Sequence, residues 1–185
     1  MQWHIKQAAR VADAGGIIAY PTEAVYGLGC NPLDTTAVLR LLLLKRRDID
    51  QGLILVAAER QQLEDFVSFP TGRSGKAIEA SWPGPVTWLV PAQPWVPYWL
   101  TGAHDTLAVR VSDHPVVREL CREFAGPLVS TSANVHGHPP ARTALQVRRM
   151  FGGQIDYLVS GQTGKLTSPT EIRDALSGKI IRAST

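Results

Sequence analysis

The chain has 185 residues, 44% of them hydrophobic and 19% charged, with 19 Lys and Arg against 16 Asp and Glu. That length supports one core without metal or disulfide staples, and the composition is that of a soluble globular protein. The two cysteines, Cys30 and Cys121, have neither framework nor metal-ligand spacing, no apolar run approaches membrane-spanning length, and the start Met1–Lys6 lacks a signal core, so a cytoplasmic protein with reduced, packed thiols is expected.

Taken in chain order, Ile5, Ala8, Ala9, Val11 and Ala12 have helical spacing over residues 4–14, and Gly15-Gly16 stops that helix. A strand over 17–20 leads into the polar cassette Tyr20-Pro21-Thr22-Glu23-Ala24-Val25-Tyr26-Gly27-Leu28-Gly29-Cys30. Asp34 and Thr35 offer an N-cap for a helix to about Arg46, with Leu41–Leu44 in its buried part. The short apolar run Leu53–Ala57 reads as a buried strand, followed by helices near 59–66 and 73–80. Trp82-Pro83-Gly84-Pro85 punctuates the chain as a rigid turn before a strand at 86–91, and Pro91–Pro97 is a loop. A strand at 107–111 precedes Asp113, which caps a helix at 115–125. Gly126-Pro127 closes it, and a strand at 127–130 delivers a second cassette, Ser130-Thr131-Ser132-Ala133-Asn134. A helix at 143–151 and strands at 155–159, 170–174 and 179–183 complete the chain. Strands and helices mix without strict alternation, and no repeat or linker divides them. The expectation is a single α/β domain with a twisted mixed sheet flanked by helices.

The chemistry concentrates in the two cassettes. Strands that end in hydroxyls, amides and flexible glycines are how α/β proteins present small polar groups to a ligand. Four hydrogen-bonding side chains within Ser130–Asn134 exceed what one cap or turn uses, although Thr22-Glu23 fits an ordinary turn. Lys45 and Arg47 complement a helix C-terminus even without a ligand, but a polar loop and a buried strand follow them. Arg110 interrupts an apolar strand, where a long cation needs an anion. A substrate carboxylate and an internal Asp or Glu fit it equally well.

Ready-made cofactor motifs do not apply. Gly161-Gln162-Thr163-Gly164-Lys165 lacks the glycine spacing and following Ser/Thr of a P-loop, and reads as a mobile glycine loop. No G-x-G-x-x-G and no G-x-S-x-G occurs. His136-Gly137-His138 has no third ligand at a sensible spacing and reads as a solvated loop. Arg148-Arg149 reads as an exposed helix face, and the pI near 9.1 hints only faintly at anionic partners.

Five motifs in order carry a resemblance: the Tyr20–Cys30 cassette, Lys45-Arg46-Arg47, Trp82-Pro83-Gly84-Pro85-Val86-Thr87, Leu107-Ala108-Val109-Arg110-Val111 and Ser130–Asn134. From about residue 7 to the end, the chain resembles the YrdC-like family of threonylcarbamoyl-AMP synthases. The resemblance implies one YrdC-like domain over 1–185 with a concave basic cleft and without the extra C-terminal domain of longer members. It implies the conversion of L-threonine, bicarbonate and ATP to threonylcarbamoyl-AMP and pyrophosphate, with Mg²⁺ brought by ATP. A partner threonylcarbamoyl transferase complex would then modify ANN-decoding tRNAs.

Carried over by position, Thr22, Arg110 and Thr170 would bind L-threonine. Lys45 and Arg47 would meet the ATP phosphates, and Ser132, Asn134, Arg142 and Arg182 would line the nucleotide side. No metal ligand is named, and no nucleophile–base pair is needed. Asp48 in place of a family proline, Gln51 in place of a lysine and His136 in place of a serine depart from the pattern. Two other readings compete: a non-catalytic RNA-binding module, and a carbamoyltransferase or hydrolase on the same cleft. The first explains the basic clusters but neither cassette, though weak RNA contact is compatible with the enzyme as well. The second differs in whether threonine is consumed.

Overall fold

A computed structural model describes residues 1–168 and 170–183. The first helix, α1 (Gln2–Asp13), buries Ile5, Ala8, Ala9 and Ala12 on one stripe and ends where Gly15 takes φ +81°, a backbone setting that disfavours side chains. Strand β1 (Ile18–Pro21) turns through Thr22–Val25 into β2 (Tyr26–Gly29), its antiparallel partner. Helix α2 (Thr35–Lys45) starts on Asp34, whose carboxylate accepts the Ala37 N–H at 2.9 Å. There follow β3 (Ile54–Ala57), α3 (Gly72–Ser81), β4 (Val86–Pro91), the one-turn α4 (Tyr98–Thr101) and β5 (Thr106–Val111). Helix α5 (Pro115–Glu123), β6 (Leu128–Ser132), α6 (Ala144–Phe151), β7 (Tyr157–Leu158), β8 (Glu171–Asp174) and β9 (Ile180–Arg182) complete the order.

The strands form one mixed sheet in the order β7-β1-β2-β6-β3-β5-β4-β8-β9. Its inner strands alternate between two apolar clusters, as a sheet covered on both faces must. Leu55, Ala57, Leu107, Val109 and Val129 pack with α2, α3 and α6, whereas Ile18, Tyr20, Val56 and Leu128 pack with α1 and α5. Helices α1 and α5 cover only part of their face. Beyond them β5 and β6 carry Ala108, Arg110 and Ser130 at positions where a covered strand would carry large apolar side chains.

Each expected strand has its counterpart, with ends displaced by up to two residues. The sequence reading missed β2, because Gly27 and Gly29 read as loop glycines, and it missed the single turn of α4. Residues 59–66 hold only a 3-10 turn at Arg60–Leu63. Leu41 and Leu42 are buried, but Leu43 points outward at 79% exposure, since four consecutive leucines cannot all face one side of a helix. Cys30 and Cys121 are free and buried, and burial pushes both thiols up to about 12. No helix among the described residues is long and apolar enough to cross a membrane.

Candidate active site

The uncovered part of the sheet forms the floor of a cleft of about 550 Å³, within the range of small-molecule sites. The two cassettes meet there, because β2 and β6 are neighbours with Gly27 opposite Ser132 and Leu28 opposite Thr131. The glycines of the first cassette serve close approach in a strand. A Cβ on Gly27 would stand 3.2 Å from Thr22 and 3.4 Å from the Ser130 hydroxyl, and one on Gly29 would strike the Val129 carbonyl. Thr22 sits in the hairpin turn, where its hydroxyl donates to the Val25 carbonyl at 2.8 Å. The turn and the site are thus the same residues.

Three guanidinium groups, those of Arg47, Arg110 and Arg182, border the cleft, and among the described residues no carboxylate does. Burial, and then the charge of Arg182, pulls the Arg47 guanidinium below its ordinary range. Burial, and then the charge of Arg110, does the same to Arg182. Like charges gathered at partly desolvated positions are costly until an anion joins them. Arg47 leans on the Gly52 carbonyl at 2.8 Å, and Arg182 on the Thr170 carbonyl at 2.9 Å.

One of the two readings of Arg110 is met within the chain. An internal acid is present: Glu23 stands 3.4 Å away, and both side chains are buried. Glu23 also accepts the Ser112 hydroxyl at 2.6 Å. Burial pushes the Glu23 carboxyl up, but Arg110, Ser112, its own backbone N–H and His114 together more than offset it, and the net shift is downward. Arg110 itself makes one hydrogen bond, to the Thr170 hydroxyl at 2.8 Å, out of five N–H donors. Its Nε is buried without a partner among the described residues and one terminal nitrogen faces Glu23, so any donors left for a ligand anion are on the terminal nitrogens. Sequence reasoning held an internal acid as one of two equal readings and named neither Glu23 nor Ser112 for it. The signal for Ser112 was its i+2 spacing from Arg110 along the same strand direction.

Thr22, Arg47, Arg110, Ser132, Asn134, Thr170 and Arg182 are brought together on the cleft wall. Lys45 and Arg142 are not among the wall residues. Arg46 takes a left-handed conformation (φ +52°), so the chain turns sharply between Lys45 and Arg47 and sends them different ways. Lys45 is 5% exposed and lies under the second cassette. Arg142 is exposed and donates to the Thr167 carbonyl at 2.5 Å. Of the departures, Asp48 caps the 3-10 turn Ile49–Gln51 and Gln51 borders the cleft. The His136 side chain is exposed.

The segment Gly161–Lys165, expected as a mobile glycine loop, is docked on the first cassette. Gly164 and Leu166 donate to the carbonyls of Thr22 and Glu23 at 2.8 and 3.1 Å, and the Tyr26 hydroxyl donates to the Gly161 carbonyl at 2.6 Å. Gly164 lies so near the Glu23 backbone that a Cβ would stand 2.5 Å from its carbonyl oxygen, which only the folded contact reveals. His136 and His138 are exposed, and no group of three or more potential metal ligands exists among the described residues.

The family model for Sua5, YciO and YrdC proteins, described as "Telomere recombination", matches residues 10–184. The chain belongs to this family. It is 52% identical over 180 residues to a threonylcarbamoyl-AMP synthase of Cellvibrio japonicus, covering 97% of this chain and 95% of that protein. A synthase of Nitrosococcus oceani matches at the same identity and covers 97% of each. Among solved structures, P. abyssi Sua5 complexed with L-threonine superposes with a TM-score of 0.88 at 34% identity over 94% of this chain. This chain spans 51% of that longer protein. E. coli YciO, at 22% identity and a TM-score of 0.86, shares the fold.

Proposed function

We propose that the chain is a threonylcarbamoyl-AMP synthase, joining L-threonine, bicarbonate and ATP into threonylcarbamoyl-AMP with release of pyrophosphate. The observation that carries this reading is the wall of three guanidinium groups, without a carboxylate among the described residues, set beside the hydroxyls and amide of Thr22, Ser132 and Asn134. Such a wall suits a substrate set that is anionic at two ends, an amino-acid carboxylate and a triphosphate. Relatives half identical to this chain carry the synthase name, and the threonine complex of P. abyssi Sua5 supports an amino-acid site in this fold.

In this reading Arg110 grips the threonine carboxylate between Thr22 and Thr170. Arg47 and Arg182 meet the phosphates, with Ser132 and Asn134 on the nucleotide side. The threonine amine attacks the carbon of bicarbonate or of carbon dioxide formed from it, and the proton lost from nitrogen leaves with the bicarbonate hydroxide as water. A carbamate oxygen then attacks the α-phosphorus, and the bond to pyrophosphate breaks. No covalent enzyme intermediate is required, so the residues act by positioning and by offsetting charge. Among the described residues the wall has no carboxylate, so a Mg²⁺ brought with ATP would be held by the phosphates and would offset their charge. Transfer to tRNA belongs to a partner transferase, and the exposed Arg148 and Arg149 of α6 suit at most a weak RNA contact.

The test is pyrophosphate release from ATP with each substrate omitted in turn. Release is expected only when L-threonine and bicarbonate are both present. Release that continues without threonine would overturn the reading in favour of a hydrolase or carbamoyltransferase.

A further inference from the structure

Lys45 is the last residue of α2, and its side chain runs beneath the second cassette instead of into the cleft. Its ammonium group has three donors. All three find acceptors in the cassette: the Ser132 carbonyl at 2.5 Å, the Asn134 carbonyl at 2.9 Å and the Asn134 side-chain oxygen at 3.2 Å. The backbone adds a fourth tie, since the His136 N–H donates to the Lys45 carbonyl at 3.1 Å. Asn134 is thereby fixed at both ends of its amide. Its oxygen also accepts the Ser132 hydroxyl at 2.7 Å, and its nitrogen donates to the His138 carbonyl at 2.8 Å.

We propose that Lys45 is a positioning residue, which holds Ser132 and Asn134 in the nucleotide wall and does not itself meet the triphosphate. The inference rests on the synthase reading only for what the wall binds. For Lys45 to reach a phosphate it would have to abandon three acceptors and leave a buried track, whereas Arg47, two residues on, already borders the cleft. An ammonium with a full set of converging acceptors is worth more as a clamp than as a distant point charge. The left-handed Arg46 makes the division of labour possible, turning one cation inward and the other toward the ligand.

The test compares the full chain with Lys45→Met, without any ligand, by amide hydrogen exchange. Exchange over residues 132–138 is expected to quicken by about tenfold or more, consistent with loss of charged hydrogen bonds, while the strands of the sheet stay protected. Kinetically, the KM for ATP should rise by a similar factor while the KM for threonine stays within about twofold. Unchanged exchange in the cassette with lost ATP affinity would overturn the proposal, because it would make Lys45 a direct phosphate ligand. Faster exchange throughout the chain with both KM values unchanged would overturn it too, reducing Lys45 to a stability role. Lys45→Gln, which keeps two neutral donors, supplies the same comparison if the Met variant does not fold. If the unmodified chain shows no threonine-dependent turnover, the synthase reading fails, and the exchange measurement still decides between clamp and free cation.

Discussion

Arg110 and Glu23 form a buried pair whose attraction is incomplete by design of the strand. The guanidinium sits beside the acid and the Thr170 hydroxyl, yet most of its donors stay unused. Replacing Glu23 with Gln removes the internal anion and should destabilise the fold by about 3 kcal/mol, as for other buried pairs that lose one partner. The pH dependence follows from the lowered Glu23 carboxyl. Its stabilisation is fully present above the unfolded value of about 4.3 and is lost as pH falls through the lower native value. Thermal melts of the unmodified chain should therefore fall more steeply on the acid side than those of Glu23→Gln. Parallel acid limbs would show that Glu23 contributes no such linkage. Arg110→Lys keeps the charge but loses the planar fork. Threonine use should drop about tenfold or more, while ATP binding changes little, on the scale of one charged hydrogen bond. A variant with a lower melting temperature but intact threonine discrimination would reduce Arg110 to the partner of Glu23.

At the scale of elements, the site depends on how closely β2 approaches its two neighbours. A methyl group on Gly29 would strike the Val129 carbonyl and stand 2.8 Å from the Tyr20 hydroxyl. Gly29→Ala should cost about 1–3 kcal/mol, the usual penalty for overpacking. The loss should appear as a lower urea midpoint with an unchanged slope. A midpoint equal to that of the unmodified chain would mean that β1 and β6 yield without strain. The same close packing explains why glycines in the cassette read as loop residues: glycine weakens an isolated strand, and only the neighbours at the site make it necessary.

For the whole molecule, the decisive property is the convergence of cations from three distant segments. Arg47 follows α2, Arg110 lies in β5 and Arg182 ends β9, and the sheet order brings them to one cleft. Arg47→Ala should weaken ATP binding by about tenfold or more, the worth of a charged hydrogen bond, and leave threonine binding nearly unchanged. Calorimetry with each ligand separates the two effects, and unaltered ATP affinity would remove Arg47 from the phosphate site.

The sequence alone determined the order of most strands and helices, since hydrophobic period and caps such as Asp34 are local signals. The resemblance carried by the five motifs also named Thr22, Arg47, Arg110, Ser132 and Asn134 together, and all five border the one cleft. Local signals end where a residue's role depends on what lies across from it. Only the tertiary structure decided that Tyr26–Gly29 pairs as a strand, that Glu23 is the acid beside Arg110, and that segment 161–167 is docked on the first hairpin. It alone separated Lys45 from Arg47, which adjoin the same arginine in sequence. A left-handed backbone at Arg46 and the depth of α2 beneath the second cassette, neither of them written in residue type, turn one cation inward to hold the wall and leave the other to face the ligand.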